Sequence, residues 1–228
     1  MNSRQRSVLI RVTIAVLVFL YVAYVANRYV LSGRLPRFDF IVITGFVAFY
    51  FVWTIISETL LYQDPDVFVT EDDDQKSYAL LQLSSMIGLF YAAIDFLSTH
   101  WTRLHILEPG IIYLGFILFA ISCIYRGWGL RAIGKYFNPR IAIYEGHQLV
   151  TSGPYRKIRH PLYLGVFISL IAIDMVFSSW GALLITFLFT LPTLIHRIRL
   201  EEEFLLKNFG DDFKEYVQNS KKLIPGLW

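Results

Sequence analysis

The sequence predicts an all-α, polytopic integral membrane protein: about six transmembrane helices, the last two forming a tight helical hairpin, then a C-terminal helix on the cytoplasmic side. Three observations predict it. Of 228 residues, 55% are hydrophobic and only 17% charged, where an ordinary soluble domain carries about 25% charged residues. Uncharged stretches long enough to cross about 30 Å of hydrocarbon recur along most of the chain. Lysine and arginine collect after the fourth and after the sixth of those stretches.

The first stretch covers residues 12–26, lengthened where Arg11 and Arg28 snorkel towards the two interfaces. Arg4 and Arg6 precede it as in a signal peptide. Asn27, Arg28 and Tyr29 follow in place of a small-residue cleavage site, so the segment reads as a retained anchor. The second stretch is 40–57, the third 77–94 and the fourth 109–125. After a polar gap come 161–173 and 175–195, and Ser178, Ser179 and Gly181 mark a hairpin turn near 177–181. Each arm of that hairpin is only about 16 residues, short for a straight span.

Composition also excludes several classes. Aromatic residues at 17% and sparse charge exclude disorder. The net charge of +3, scattered through apolar sequence, makes nucleic acid a poor partner. The single cysteine, Cys123, excludes an internal disulfide, a multi-cysteine zinc site and an iron–sulfur cluster, and it reads as a small buried hydrophobe. No metal site is expected.

Orientation follows the basic residues. Arg126, Arg131, Lys135, Arg140, Arg156, Lys157 and Arg159 lie between segments four and five; Arg197, Arg199, Lys207, Lys214, Lys221 and Lys222 follow segment six. Both regions are expected to be cytoplasmic, and six crossings then put both termini there. Arg34 and Arg37 argue mildly against this, and Glu71, Asp72, Asp73 and Asp74 read as a solvated loop. Asp95 and Asp174 interrupt apolar runs near predicted helix ends, where snorkelling or capping accounts for them. Residues 1–130 divide off as N-terminal membrane helices and 131–228 as the chemical core.

That core carries polar residues the composition does not require. From Gly146 the chain runs through Gly153-Pro154, a turn signal, to Arg159-His160-Pro161, with Pro161 suited to the first position of a helix and His160 to its cap. Arg159, His160 and Tyr163 would stand at the membrane face, where a polar ligand could be held. Interfacial anchoring is the competing reading. Further on, Ile198, Glu202, Leu205 and Phe209 recur at helical spacing, so Glu202 sits in an apolar stripe and needs a partner. Arg197 and Glu201 are an (i, i+4) pair, for which an ordinary helix salt bridge remains open.

Leu149-Val150-x-x-Gly153-x-Tyr155-x-x-x-Arg159-His160-Pro161-x-Tyr163-x-Gly165 resembles the signature of the isoprenylcysteine carboxyl methyltransferase family. The likeness continues through Arg197-x-x-x-Glu201-Glu202, Phe209-Gly210-x-x-Phe213-x-x-Tyr216 and Leu223-Ile224-Pro225-Gly226, with Phe213 where the family often has tyrosine. It covers roughly residues 145–228 and extends to the related phospholipid methyltransferases. The resemblance implies methyl transfer from S-adenosylmethionine to a lipophilic acceptor, most simply the carboxylate of a prenylcysteine or other lipophilic acid. It implies cofactor contacts from His147, Leu149, Val150, Tyr155, His160, Pro161, Tyr163 and Glu202, and catalytic roles for Arg159, Arg197 and Glu201. N-methylation of a lipid amine is the first alternative and a non-catalytic transporter or receptor the second. Against the transporter, no paired repeats or mid-membrane helix breaks appear. A G-x-G-x-x-G after a strand is missing, which excludes a soluble Rossmann-type methyltransferase domain.

Overall fold

In a computed structural model, residues 3–33, 35–57, 59, 69–72, 75–138, 141–144 and 146–224 are described. A helix covers each of the six apolar stretches. Helix α1 is Ser3–Leu31, α2 Arg37–Ile56, α3 Ser77–Ile94, α4 Gly110–Ile133 and α5 Pro161–Val176. The last helix, α6, runs over Trp180–Asn219 with a π-helical turn at Thr186–Thr190. Among the described residues, α2, α3 with its extension to Thr99, α4 with its extension to Tyr136, and α6 are long and apolar enough to cross a membrane, and α5 is a shorter apolar helix. The chain is an integral membrane protein. The acidic residues Asp73 and Asp74, and Pro225 and Gly226 of the last motif, lie outside the described residues.

The hairpin turns where expected. Helix α5 stops at Val176, Ser178 takes a left-handed φ of 52°, and the Ser179 hydroxyl accepts from the Ala182 amide to cap α6. The second arm differs from expectation in one respect. It does not end near residue 195 but continues as the same helix to Asn219, broken only at Gly210, whose φ of 53° interrupts the helical backbone. Arginines and glutamates beyond Ile195 are good helix formers, so nothing stops the helix at the membrane boundary.

Helices α4 and α5 lie against each other closely because of glycine. A Cβ at Gly115 would stand 2.7 Å from the Val176 amide nitrogen and 2.9 Å from the Ala172 carbonyl oxygen, and one at Gly129 would meet Leu162 Cδ2 at 2.7 Å. Small residues that let backbones touch are the usual means of packing helices where no hydrophobic drive exists between them. The core beside this contact is aromatic: Phe46 packs edge-on against Phe119 at 5.2 Å and Phe177 at 5.5 Å, and Phe96 against Phe177 at 5.7 Å.

Asp95 and Asp174 do not snorkel. They are 1% and 2% exposed. Asp95 accepts hydrogen bonds from the Thr102 amide, the Ser179 hydroxyl at 2.8 Å and the Thr99 hydroxyl, tying the α3–α4 connection to the hairpin turn. Asp174 accepts from Thr186 across the hairpin at 2.7 Å. Local donors were available, so burial cost less than reaching for solvent. Next to Asp95, Arg103 donates to both oxygens of Asp39 (2.7 and 2.8 Å) and both of Glu108 (2.7 and 2.9 Å), with its guanidinium 4.0 Å over the Phe96 ring.

The all-helical expectation acquires one addition, a two-stranded antiparallel ribbon. Strand β1, Val69–Asp72, pairs with β2, Ala142–Tyr144, in the register Val69 to Tyr144 and Asp72 to Ala142. It joins the α2–α3 connection to the segment after α4, on the side where α5 begins.

Candidate active site

The start of α5 is held by the C-terminal segment. The amides of Arg159 and His160 donate to the carbonyls of Lys221 (2.7 Å) and Lys222 (3.1 Å), and the Lys221 amide returns a bond to Lys157. Tyr216 adds a bond from its hydroxyl to the Tyr155 carbonyl at 2.6 Å. The loop before α5 is thereby fixed from outside, and the motif residues project from it inward.

Glu202 is the anchor of this arrangement. It accepts from Arg159 Nε at 2.8 Å, Lys222 Nζ at 2.9 Å and His160 Nε2 at 3.3 Å, and its side chain is 14% exposed, while Glu203 faces out. Three donors satisfy the carboxylate that the apolar stripe draws inward. Arg159 also donates through Nη1 to the Ser220 carbonyl at 2.6 Å.

A second chain of contacts crosses the bundle. Arg197, 2% exposed, donates from Nε to the Tyr163 hydroxyl at 2.8 Å and from Nη1 to the Ser77 hydroxyl at 2.6 Å. Tyr163 in turn donates its proton to a Glu201 carboxylate oxygen. His160 stacks on Tyr163 with ring centroids 5.6 Å apart.

Two cavities meet here. The larger, about 450 Å³, extends between α3, α4 and α5 past Tyr78, Leu81, Arg126, Leu130, Leu162 and Val166. That is within the range of small-ligand sites, about 300–1,000 Å³. The smaller, about 90 Å³, lies towards the ribbon and is walled by Tyr136, Ile141, His147, Leu149, Val150 and Phe213, among others. Ile133, Asn138, Tyr155, Arg159 and Glu201 line both, so the two form one site with a shared wall. Tyr136 and His147 stack at 4.5 Å in near-parallel planes, and Phe209 meets His147 edge-on at 5.7 Å. Burial keeps the His147 imidazole below its ordinary pKa and raises the Tyr155 phenol well above its own, with the nearby Glu201 carboxylate adding to the latter.

The structure therefore sorts the sequence candidates. His147, Leu149 and Val150 line the smaller cavity; Tyr155, Arg159 and Glu201 the junction; His160, Pro161, Tyr163 and Arg197 the larger cavity. Glu202 lines neither and instead fixes Arg159. Sequence reading missed Arg126, which it left in the loop after the fourth stretch. Helix α4 runs on to Ile133, so Arg126 faces the larger cavity from within the bundle. Its guanidinium lies 5.6 Å from the Trp53 ring and has no hydrogen bond or ion pair among the described residues. Gly165 makes room for its stem: a Cβ there would stand 2.3 Å from Arg126 Cγ. A glycine in the first turns of α5 was the available signal; the residue it accommodates lies too far away in sequence to be read from it.

Residues 113–207, the stretch that carries Arg126 and most of this site, match the model of the isoprenylcysteine carboxyl methyltransferase (ICMT) family. Over those residues the chain is similar to that family. The ICMT stretch includes Arg159, Tyr163, Arg197 and Glu201, whereas Ser77, Tyr78, Phe213 and Tyr216 come from outside it. Among relatives, the chain is 30% identical over 99 residues to protein YpbQ of Bacillus subtilis, covering 43% of this chain and 59% of that protein. It is 29% identical over 154 residues to protein-S-isoprenylcysteine O-methyltransferase A of Arabidopsis thaliana, covering 66% of this chain and 74% of that one. The solved structure of the eukaryotic intramembrane Ras methyltransferase ICMT superposes with a TM-score of 0.54 at 20% identity, over all of this chain and 88% of the other, a likeness of fold.

Proposed function

We propose that the chain is an S-adenosylmethionine-dependent membrane methyltransferase that esterifies the carboxylate of a lipophilic acid of the prenylcysteine type. The observation that carries the reading is the Arg126 guanidinium on the larger cavity, which has no hydrogen bond or ion pair among the described residues. A half-buried arginine facing a cavity, with no counter-ion among the described residues, favours a ligand that supplies one. Among the described residues, Arg126, Arg159 and Arg197 line this cavity with one carboxylate, Glu201, which suits an anionic acceptor better than an amine.

The residues fit the donor. Aromatic and aliphatic walls from Tyr136, His147, Leu149, Val150 and Phe213 suit an adenine ring, and Glu201 at the junction suits a cationic sulfonium. When bound, S-adenosylmethionine supplies an electrophilic methyl group: a carboxylate oxygen forms the new C–O bond as the C–S bond breaks and sulfur keeps its electron pair. The acceptor carboxyl is already ionised at neutral pH, so the chain need not provide a general base. Its residues orient the acceptor and exclude water, effects worth up to about 7–11 kcal/mol. Arg126 and Arg197 hold the carboxylate, for which a guanidinium offers two parallel donors. Arg159 and Glu201 face the donor side, and Tyr163 fixes Glu201 through its hydrogen bond. The lysine and arginine bias supports both termini, and hence the mouth of the site, being cytoplasmic.

The test is to incubate detergent-purified protein with methyl-labelled donor and, separately, a prenylcysteine analogue, phosphatidylethanolamine and a small thiol. Base-labile label on the prenylcysteine is expected. Label confined to the amine or the thiol would overturn the acceptor assignment.

A further inference from the structure

The family-matched stretch supplies Arg197 and only part of what aims it. Helix α3 begins at Ser77, beyond that stretch, and its first turn enters the site. Ser77 is fully buried, and its hydroxyl accepts from Arg197 Nη1 at 2.6 Å. The next residue, Tyr78, lines the larger cavity and sets its ring 5.6 Å from the Arg197 guanidinium carbon. Tyr163 of α5 stands on the guanidinium at 5.7 Å. Gln82, one turn along α3, donates to the Tyr78 hydroxyl at 3.1 Å and steadies that ring.

We infer that Ser77, with Tyr78 beside it, is a positioning residue that sets the direction in which Arg197 presents its guanidinium to the acceptor. The inference rests on the methyltransferase reading above. An arginine stem has several rotatable bonds, and a planar fork grips a carboxylate only from the right direction. Tyr163 secures Nε from the α5 side. The Ser77 hydroxyl is a second fixed point on the opposite side, while the tyrosine rings hold the cation at the usual cation–π distance of about 6 Å or less. Helix α3 thus contributes to acceptor handling in this chain without itself touching the donor-side cavity.

The experiment compares Ser77→Ala, Ser77→Thr, Arg197→Lys and the Ser77→Ala/Arg197→Lys double variant in detergent, measuring S-adenosylhomocysteine affinity by calorimetry and turnover of a prenylcysteine analogue. Ser77→Ala should lower kcat by at least about tenfold, approaching the 10²-fold cost of a 1 Å misplacement, with product affinity within about threefold of wild type. Ser77→Thr, which keeps the hydroxyl, should recover most of the loss. The double variant should be no slower than Arg197→Lys alone, since the two changes remove one interaction. Turnover by Ser77→Ala within twofold of wild type overturns the inference, as does an additive double variant. A loss that extends equally to product affinity and is not recovered by threonine also overturns it, since it marks a purely structural role. Wild-type protein that neither binds S-adenosylhomocysteine nor methylates any acceptor overturns the methyltransferase reading itself, and this inference with it.

Discussion

Replacing Gly165 with alanine tests the proposed role of Arg126 without touching its charge. The new methyl carbon would stand 2.3 Å from Arg126 Cγ and 3.2 Å from Cδ. Carbon atoms in favourable contact are about 3.5–4.0 Å apart, so Cγ must retreat by about 1 Å. Cγ is near the root of the side chain, and the guanidinium beyond it swings with the stem. A displacement of about 1 Å at a reacting or gripping group costs about 10²-fold in rate, or about 2.7 kcal/mol of barrier. Alanine is favoured over glycine in a helix interior by about 0.5–1 kcal/mol, which offsets part of the overpacking cost. The assay is kcat/KM for a prenylcysteine analogue alongside calorimetric affinity for S-adenosylhomocysteine and the unfolding temperature in detergent. The expected result is a hundredfold loss of kcat/KM with unchanged product affinity and an unfolding temperature lowered by no more than the overpacking cost of about 1–3 kcal/mol. On an Arg126→Gln background the same glycine change should add little. A Gly165→Ala enzyme with kcat/KM within twofold of wild type would refute the argument that Arg126 acts from this position.

Two further outcomes follow from the site. Glu202→Gln should destabilise the protein by about 2 kcal/mol, the scale for hydrogen bonds to charged groups, because Arg159, Lys222 and His160 lose one shared acceptor; Glu203→Gln should be neutral, and equal unfolding temperatures for the two variants would contradict the anchor role. His147 is held below its ordinary pKa of 6.5 by burial, so the unfolded chain binds the proton first and stability should fall as pH drops below about 6.5. His147→Phe should flatten that dependence in melts between pH 7.5 and 5.5, and an unchanged slope would show that the ring does not stay neutral in the folded protein.

Much of this arrangement was legible in the sequence. The third stretch coincides with α3 from Ser77 to Ile94, and the serines at 178 and 179 marked the hairpin because apolar periodicity needs interruption to turn. The motif residues did converge, since Arg159, His160 and Tyr163 precede or open one helix and Arg197 and Glu201 lie on its partner. What was not legible depended on distance. Arg126 looked like the start of a cytoplasmic loop because a charge normally ends an apolar run, and only the Gly165 notch lets it remain inside. The choice between Glu201 and Glu202 as the residue facing the cavities turns on one step of helix rotation, about 100°, which a stripe of apolar residues defines only loosely. Strand β1 contains Glu71 and Asp72 and no alternating pattern, so its pairing with β2 had no local signal. The Asp39–Arg103–Glu108 cluster likewise brings Asp39 to a local pair far from it in the chain.

The guanidinium of Arg126, without a counter-ion among the described residues, also bears on how the reaction would end. Under the proposed chemistry the acceptor arrives as an anion and departs as a neutral ester. Its attraction to Arg126 is electrostatic, about 4 kcal/mol for unit charges 4 Å apart at an effective dielectric of 20, and methylation removes that term at a stroke. The apolar tail is unchanged, so the ester keeps its affinity for the surrounding lipid while losing its hold on the pocket. Turnover would then be self-clearing: the bond that is made cancels the force that retained the reactant, and the bilayer serves as the sink into which the finished ester drains.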